Sequence, residues 1–168
     1  KVSPTPFVPS NTVGDYFGVA LAAGDINGDG FDDLLVGAPG KDANAGAVFL
    51  LPGTALGPAL QNAQYISQSE SGLAPEAGDS FGSAVAVGNL NGDSFADFAI
   101  GAPNEVTISG GFAKGGAVST HAGRSVAVGA GTFETSLGAM IAALSAEEYG
   151  FALAIGDAHG DEGQIGAI

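Results

Sequence analysis

The chain has no cysteine, so a disulfide framework, a thiolate metal site and a cysteine nucleophile are all excluded. It is nearly as poor in positive charge. Four lysines and arginines stand against eighteen acids, a formal net charge of −14. With no cationic stripe to neutralise phosphates, nucleic-acid binding is excluded as well. Histidine occurs twice, at His121 and His159, and neither sits in a recognisable triad context. There is no tryptophan to stack on a sugar ring. The apolar run at 136–146 is too short to span a membrane, and no signal-peptide pattern is visible.

Glycine is what the chain has in quantity: 29 residues, spread over the whole length among plentiful apolar side chains. A disordered linker would lack those apolar residues. Many short strands joined by glycine turns is the better reading, and 168 residues suffice for one domain with a sizeable core.

One stretch concentrates the acids. In Asp25-Ile26-Asn27-Gly28-Asp29-Gly30-Phe31-Asp32-Asp33, oxygen-bearing side chains fall at Asp25, Asn27 and Asp29, and again at Asp33. Hard cations such as calcium take six to eight oxygens from a loop able to curl tightly. The interleaved glycines permit such a curl. The same residues also make Asx-turns with no metal, so the spacing alone leaves both readings open.

The stretch recurs. Phe17-Gly18-Val19-Ala20-Leu21-Ala22-Ala23-Gly24 leads into the first loop. Phe81-Gly82-Ser83-Ala84-Val85-Ala86-Val87-Gly88 leads into a second, Asn89-Leu90-Asn91-Gly92-Asp93-Ser94-Phe95-Ala96-Asp97. Tyr149-Gly150-Phe151-Ala152-Leu153-Ala154-Ile155-Gly156 leads into a third beginning at Asp157. The loop starts lie 64 and then 68 residues apart. Gly37-Ala38-Pro39 and Gly101-Ala102-Pro103 follow the first two loops. A period of this length with four short apolar segments per unit predicts propeller blades. In the first unit the predicted strands are Val19 to Ala23, Leu34 to Gly37, Gly46 to Leu51 and Ala63 to Ser67. Residues 136–146 would pass as a helix by propensity, whereas the repeat register predicts an outer strand or connection there. Phe17, Phe81 and Tyr149 read as packing residues between blades, Asp32 as solvated, and His121 as a packed or solvated histidine. Gly110-Gly111 and Gly115-Gly116 around Lys114 resemble a phosphate cradle only superficially, because no helix opening follows.

The order Phe-Gly, acidic loop, Gly-Ala-Pro resembles the FG-GAP repeat of the integrin α-subunit β-propeller and its bacterial relatives. The first two units match through nearly their whole length and the third only in its opening part. EF-hands share the loop pattern, but they place a glutamate where this chain has Val36, and they flank the loop with helices absent here. The resemblance implies an all-β fold of about two complete four-stranded FG-GAP blades plus a partial third, completed by other copies or by a longer chain. The expected divisions are an extended segment at 1–14, blade one at 15–78, blade two at 79–146 and a partial blade three at 147–168. It also implies Ca2+ held by Asp25, Asn27, Asp29 and Asp33 with the Phe31 carbonyl. In unit two the implied ligands are Asn89, Asn91, Asp93 and Asp97 with the Phe95 carbonyl. Unit three keeps Asp157 and Asp161 but has His159 and Ile165 at the other ligand positions, so poor or no calcium binding is expected there. Affinity should fall from unit one to unit three with ligand charge.

Such an incomplete propeller would expose apolar faces and strand edges. Self-association into a homo-oligomer, as a closed ring or an open fibre, is therefore expected, with Phe7-Val8-Pro9 as the outer strand of a neighbouring blade. The functional expectation is a non-catalytic, calcium-binding extracellular or cell-surface module with an adhesion or scaffold role, facing a surface or matrix protein or glycan. The alternative is the propeller part of a secreted carbohydrate-active enzyme such as a polysaccharide lyase.

Overall fold

Short apolar segments bounded by glycine and proline pair here into antiparallel strands. The computed structural model describes residues 12–109, 112–124, 152–156 and 164–167. Its first sheet has the order β1 (Leu21–Gly24), β2 (Asp33–Ala38), β3 (Ala47–Leu51), β4 (Gln64–Ile66). The four strands of this unit are those the sequence predicts, and all run antiparallel to their neighbours. The second sheet repeats the inner three strands as β5 (Ala84–Gly88), β6 (Asp97–Ser109) and β7 (Phe112–His121). A third begins with β8 (Leu153–Gly156) and β9 (Gln164–Ala167). The predicted outer strand at 136–146, the segment 7–9 and Tyr149 lie outside the described residues.

Pairing registers show how closely the units repeat. Gly24 pairs with Asp33 in the first, and Gly88 with Asp97 in the second. Leu34 pairs with Leu51 and Phe98 with His121. The second unit departs at its β6–β7 hairpin. Ala38 pairs with Ala47 in blade one, whereas Ala102 pairs with Ala117 in blade two and the ladder resumes from Val106 after a register shift. Residues 41–44 turn the corner in blade one through left-handed Asp42 and Ala43. Blade two instead extends both strands into a longer ribbon.

Alternation of side chains across the sheets builds the joint between blades. Leu35, Val48, Leu50 and Ile66 point from blade one into one buried cluster with Phe81, Val85, Phe98 and Ile100 of blade two. The opposite face of blade one carries Val36, Phe49 and Leu51. The joint is tight at the backbone. Phe81 N–H donates to the Ala45 carbonyl at 3.0 Å, and Gly46 forms a parallel bridge with Phe81. A Cβ on Gly46 would stand 2.1 Å from the Phe81 carbonyl oxygen. Phe81 is thus fully buried between blades, as expected for the Phe-Gly position. Phe17 packs on Phe49 with ring centroids 5.4 Å apart but remains 36% exposed.

The paired loops as a candidate metal centre

Each loop runs from the end of an inner strand into the next strand, and its last acid anchors it. Asp33 is buried. Its Oδ2 accepts the N–H groups of Ile26 at 3.0 Å and Asn27 at 3.2 Å, and its Oδ1 accepts that of Gly53 at 2.8 Å. One carboxylate thus ties the start of the loop to the end of β3. Asp97 does the same, accepting from Leu90 at 2.7 Å, Asn91 at 3.1 Å and Gly123 at 2.9 Å. The sequence predicts Asp33 and Asp97 as ligands and misses this second role as struts. Gly53 and Gly123, at matching places after the third strands, were the available signal. Burial pushes the Asp33 carboxyl above its usual range, against the lowering effect of its N–H donors.

The other expected side chains gather over the turn. Asp29 N–H points at Asn27 Oδ1, 2.8 Å away, and at Asp25 Oδ1, 3.0 Å away. Asn27 Nδ2 donates to Asp29 Oδ2 at 3.0 Å, Phe31 N–H to Asp29 Oδ1 at 2.9 Å, and Gly30 N–H to Asp25 Oδ2 at 2.9 Å. The second loop repeats the pattern. Asp93 N–H donates to Asn91 Oδ1 at 2.8 Å, Phe95 N–H to Asp93 Oδ1 at 2.8 Å, and Gly92 N–H to Asn89 Oδ1 at 2.7 Å. Asp32 is exposed, as expected. The two loops also touch each other. Ala96 N–H donates to the Asp25 carbonyl at 3.0 Å, and the Phe95 ring lies over Gly28, where a Cβ would come within 2.3 Å of it.

Among the described residues, no three acidic or histidine side chains stand together as a preformed cage. The donor set is nonetheless all oxygen and rich in carboxylate, which fits a hard divalent cation. A carboxylate still has lone pairs to share after accepting N–H bonds. Asp25, Asn27, Asp29 and Asp33 would hold such an ion in the first loop, with Asn89, Asn91, Asp93 and Asp97 in the second. Asp157 and Asp161 lie outside the described residues. The third unit's register does correct one alignment: Gln164, not Ile165, pairs with Gly156 and so takes the place of Asp33 and Asp97. That loop is one residue shorter than the spacing of the others implied.

His121 is a packed histidine. It is buried, stacked on Phe98 with centroids 4.7 Å apart, and within 3.3 Å of the Ser119 hydroxyl. Burial pushes it down to about 4, partly opposed by Glu70.

The comparison with known families decides what these units are. Residues 17–51 and 81–121 match the FG-GAP repeat family. Both segments are FG-GAP repeats. The matched segments cover the inner three strands and the loop of each of the first two sheets, so the all-β fold fits β-propeller blades of this family. The chain is 40% identical over 98 residues to integrin alpha-3 of Mus musculus, covering 55% of this chain and 9% of the relative. It is 36% identical over 100 residues to integrin alpha-4 of Xenopus laevis, covering 58% and 9%. Against integrin alpha-PS2 of Drosophila melanogaster the identity is 36% over 106 residues, covering 57% and 7%. The chain therefore spans less than a tenth of the length of these relatives. Among the described residues, no helix is long and apolar enough to cross a membrane.

Proposed function

We propose that this FG-GAP chain is a non-catalytic, calcium-stabilised propeller module that works outside the cell or at its surface in adhesion or as a scaffold. The observation that carries this is the pair of loops. Two loops 64 residues apart in sequence fold into the same lattice of carboxylate and amide oxygens, each tied by a buried aspartate to its own blade. Calcium would neutralise the carboxylates crowded over each turn and brace the step between the first and second strands. The all-oxygen donor set suits the millimolar calcium outside cells, and similarity to integrin alpha chains supports an adhesive setting.

The module also self-associates, on this reading. Leu21 is 60% exposed, whereas its counterpart Val85 is 8% exposed against blade one. Val19 and Tyr16 are exposed beside it. This exposed apolar face is where a second copy of the chain would dock.

Thermal melting with calcium and with a chelator tests the calcium reading. A ligand that binds only the folded state raises its stability. Melting temperature should rise by several degrees in calcium, and less in Asp25→Asn than in wild type. Identical melting in calcium and chelator sinks the proposal.

A further inference from the structure

The two blades differ at one buried position in a way that the loops do not explain. In blade one, Asp15 sits just before the Phe-Gly segment and closes a turn by accepting Thr12 N–H at 3.1 Å. The Asp15 carbonyl accepts Gly40 N–H at 3.1 Å, which brings the next residue, Lys41, against it. The Lys41 ammonium pairs with Asp15 Oδ2 at 3.5 Å. Blade two builds the same arrangement. Asp79 accepts Glu76 N–H at 2.7 Å, and its carbonyl accepts Asn104 N–H at 3.2 Å. The residue that follows Asn104, in the place of Lys41, is Glu105.

An ion pair in one blade is thus replaced by two carboxyls in the other. Both are buried, Asp79 at 3% and Glu105 at 5% exposure, and they contact each other directly. Burial, with Asp79 alongside and Glu76 at the rim, pushes Glu105 up to about 7. A third polar group completes the cluster. Gln68, fully buried in the turn that leaves blade one, hydrogen-bonds Glu105 Oε2 through its amide. The carbonyl oxygen of that same amide, Oε1, is buried with no hydrogen-bond partner. An orphaned buried carbonyl beside two buried carboxyls is costly unless a positive charge accompanies them.

We propose that Asp79, Glu105 and Gln68 form a cation site at the junction of the two blades, separate from the loops, in which a hard divalent cation takes the place of the Lys41 ammonium. Two carboxylates and an amide oxygen are the ligand chemistry of calcium, with water completing the shell. The ion joins the end of blade one, through Gln68, to the second blade, through Asp79 and Glu105.

The test is the number of calcium ions bound per chain, measured by equilibrium dialysis at pH 8. Glu105→Lys recreates the blade-one pair. It should bind one ion fewer than wild type and melt at a higher temperature than wild type in chelator. The doubly loop-impaired variant Asp25→Asn/Asp93→Asn should keep the ion that Glu105→Lys loses, so failure of the loops and failure of this site read differently. If Glu105→Lys does not fold, Glu105→Gln and Asp79→Asn carry the same count. An unchanged count in the position-105 variants overturns the proposal. So does an unchanged count together with higher melting of Glu105→Gln, which would mean that a shared proton alone balances the pair.

Discussion

At the scale of single residues, repeat-equivalent positions have diverged in chemistry while keeping their place. Leu51 and His121 occupy the same register opposite Leu34 and Phe98. The histidine is accommodated because its ring stacks on Phe98 and because it stays neutral. Its folded-state value of about 4 lies below the ordinary 6.5. Between these values the unfolded chain binds the proton and the folded chain does not. The stability contributed by neutral His121 is therefore fully present above pH 6.5 and is lost as the pH falls toward 4. Urea titrations at pH 7 and pH 4.5 should show wild type losing about 2–3 kcal/mol more than His121→Leu over that interval. Equal losses in the two proteins would show that the ring is hydrated in the fold. Asp33 and Asp97 illustrate a different limit of residue-level reading. Spacing marks them as ligands, but their bonds to Gly53 and Gly123 form across 20 and 26 residues.

At the scale of elements, the blade joint depends on close backbone approach rather than on side-chain volume alone. Gly46 has φ +87, and the Phe81 backbone fills the space where its side chain would be. Gly46→Ala should therefore cost about 3 kcal/mol, because both strain and overlap oppose it. Gly57→Ala is the control. Its φ is +103 but nothing lies within 4 Å of the added Cβ, so a loss of about 1 kcal/mol is expected. Chemical denaturation of both variants checks the difference, and equal losses would remove the claim that the joint is packed backbone to backbone. The strands themselves were legible from the sequence to within a residue or two, since short apolar runs end at glycine and proline. The longer β6–β7 ribbon was not. Its extra residues lie between two well-repeated segments, and a repeat comparison shows an insertion without showing whether it pairs. The third loop differs by one residue from what the repeat spacing predicts for the same reason: only strand register places Gln164 opposite Gly156.

At the scale of the whole molecule, the two blade faces are unlike, and the proposed self-association rests on that asymmetry. Phe98 and Ile100 of blade two lie in the shared cluster with Leu35, Val48 and Leu50 of blade one. The counterparts on blade one, Leu34 and Val36, lie on its other side with Leu51 and Phe49, beyond which Val19 and Leu21 are exposed. Burying one such leucine is worth about 2 kcal/mol. Wild type in calcium should sediment as an assembly, and Leu21→Glu as a single chain with unchanged circular dichroism. A wild-type chain that sediments as a clean monomer at micromolar concentration would overturn the self-association proposal.

The sequence by itself determined the repeated blade, the identity of the loops and the strand order within a unit. Those features follow from local patterning: apolar runs of fixed length, glycines where the chain must turn, acids at alternating positions. Only the tertiary structure decided what lies between units. It turned the last acid of each loop into a strut, buried His121 against Phe98, and set Asp79 and Glu105 against Gln68. Each of these joins residues far apart in the chain, and their energies come from desolvation and close approach. Neither quantity exists until one blade is packed on the next.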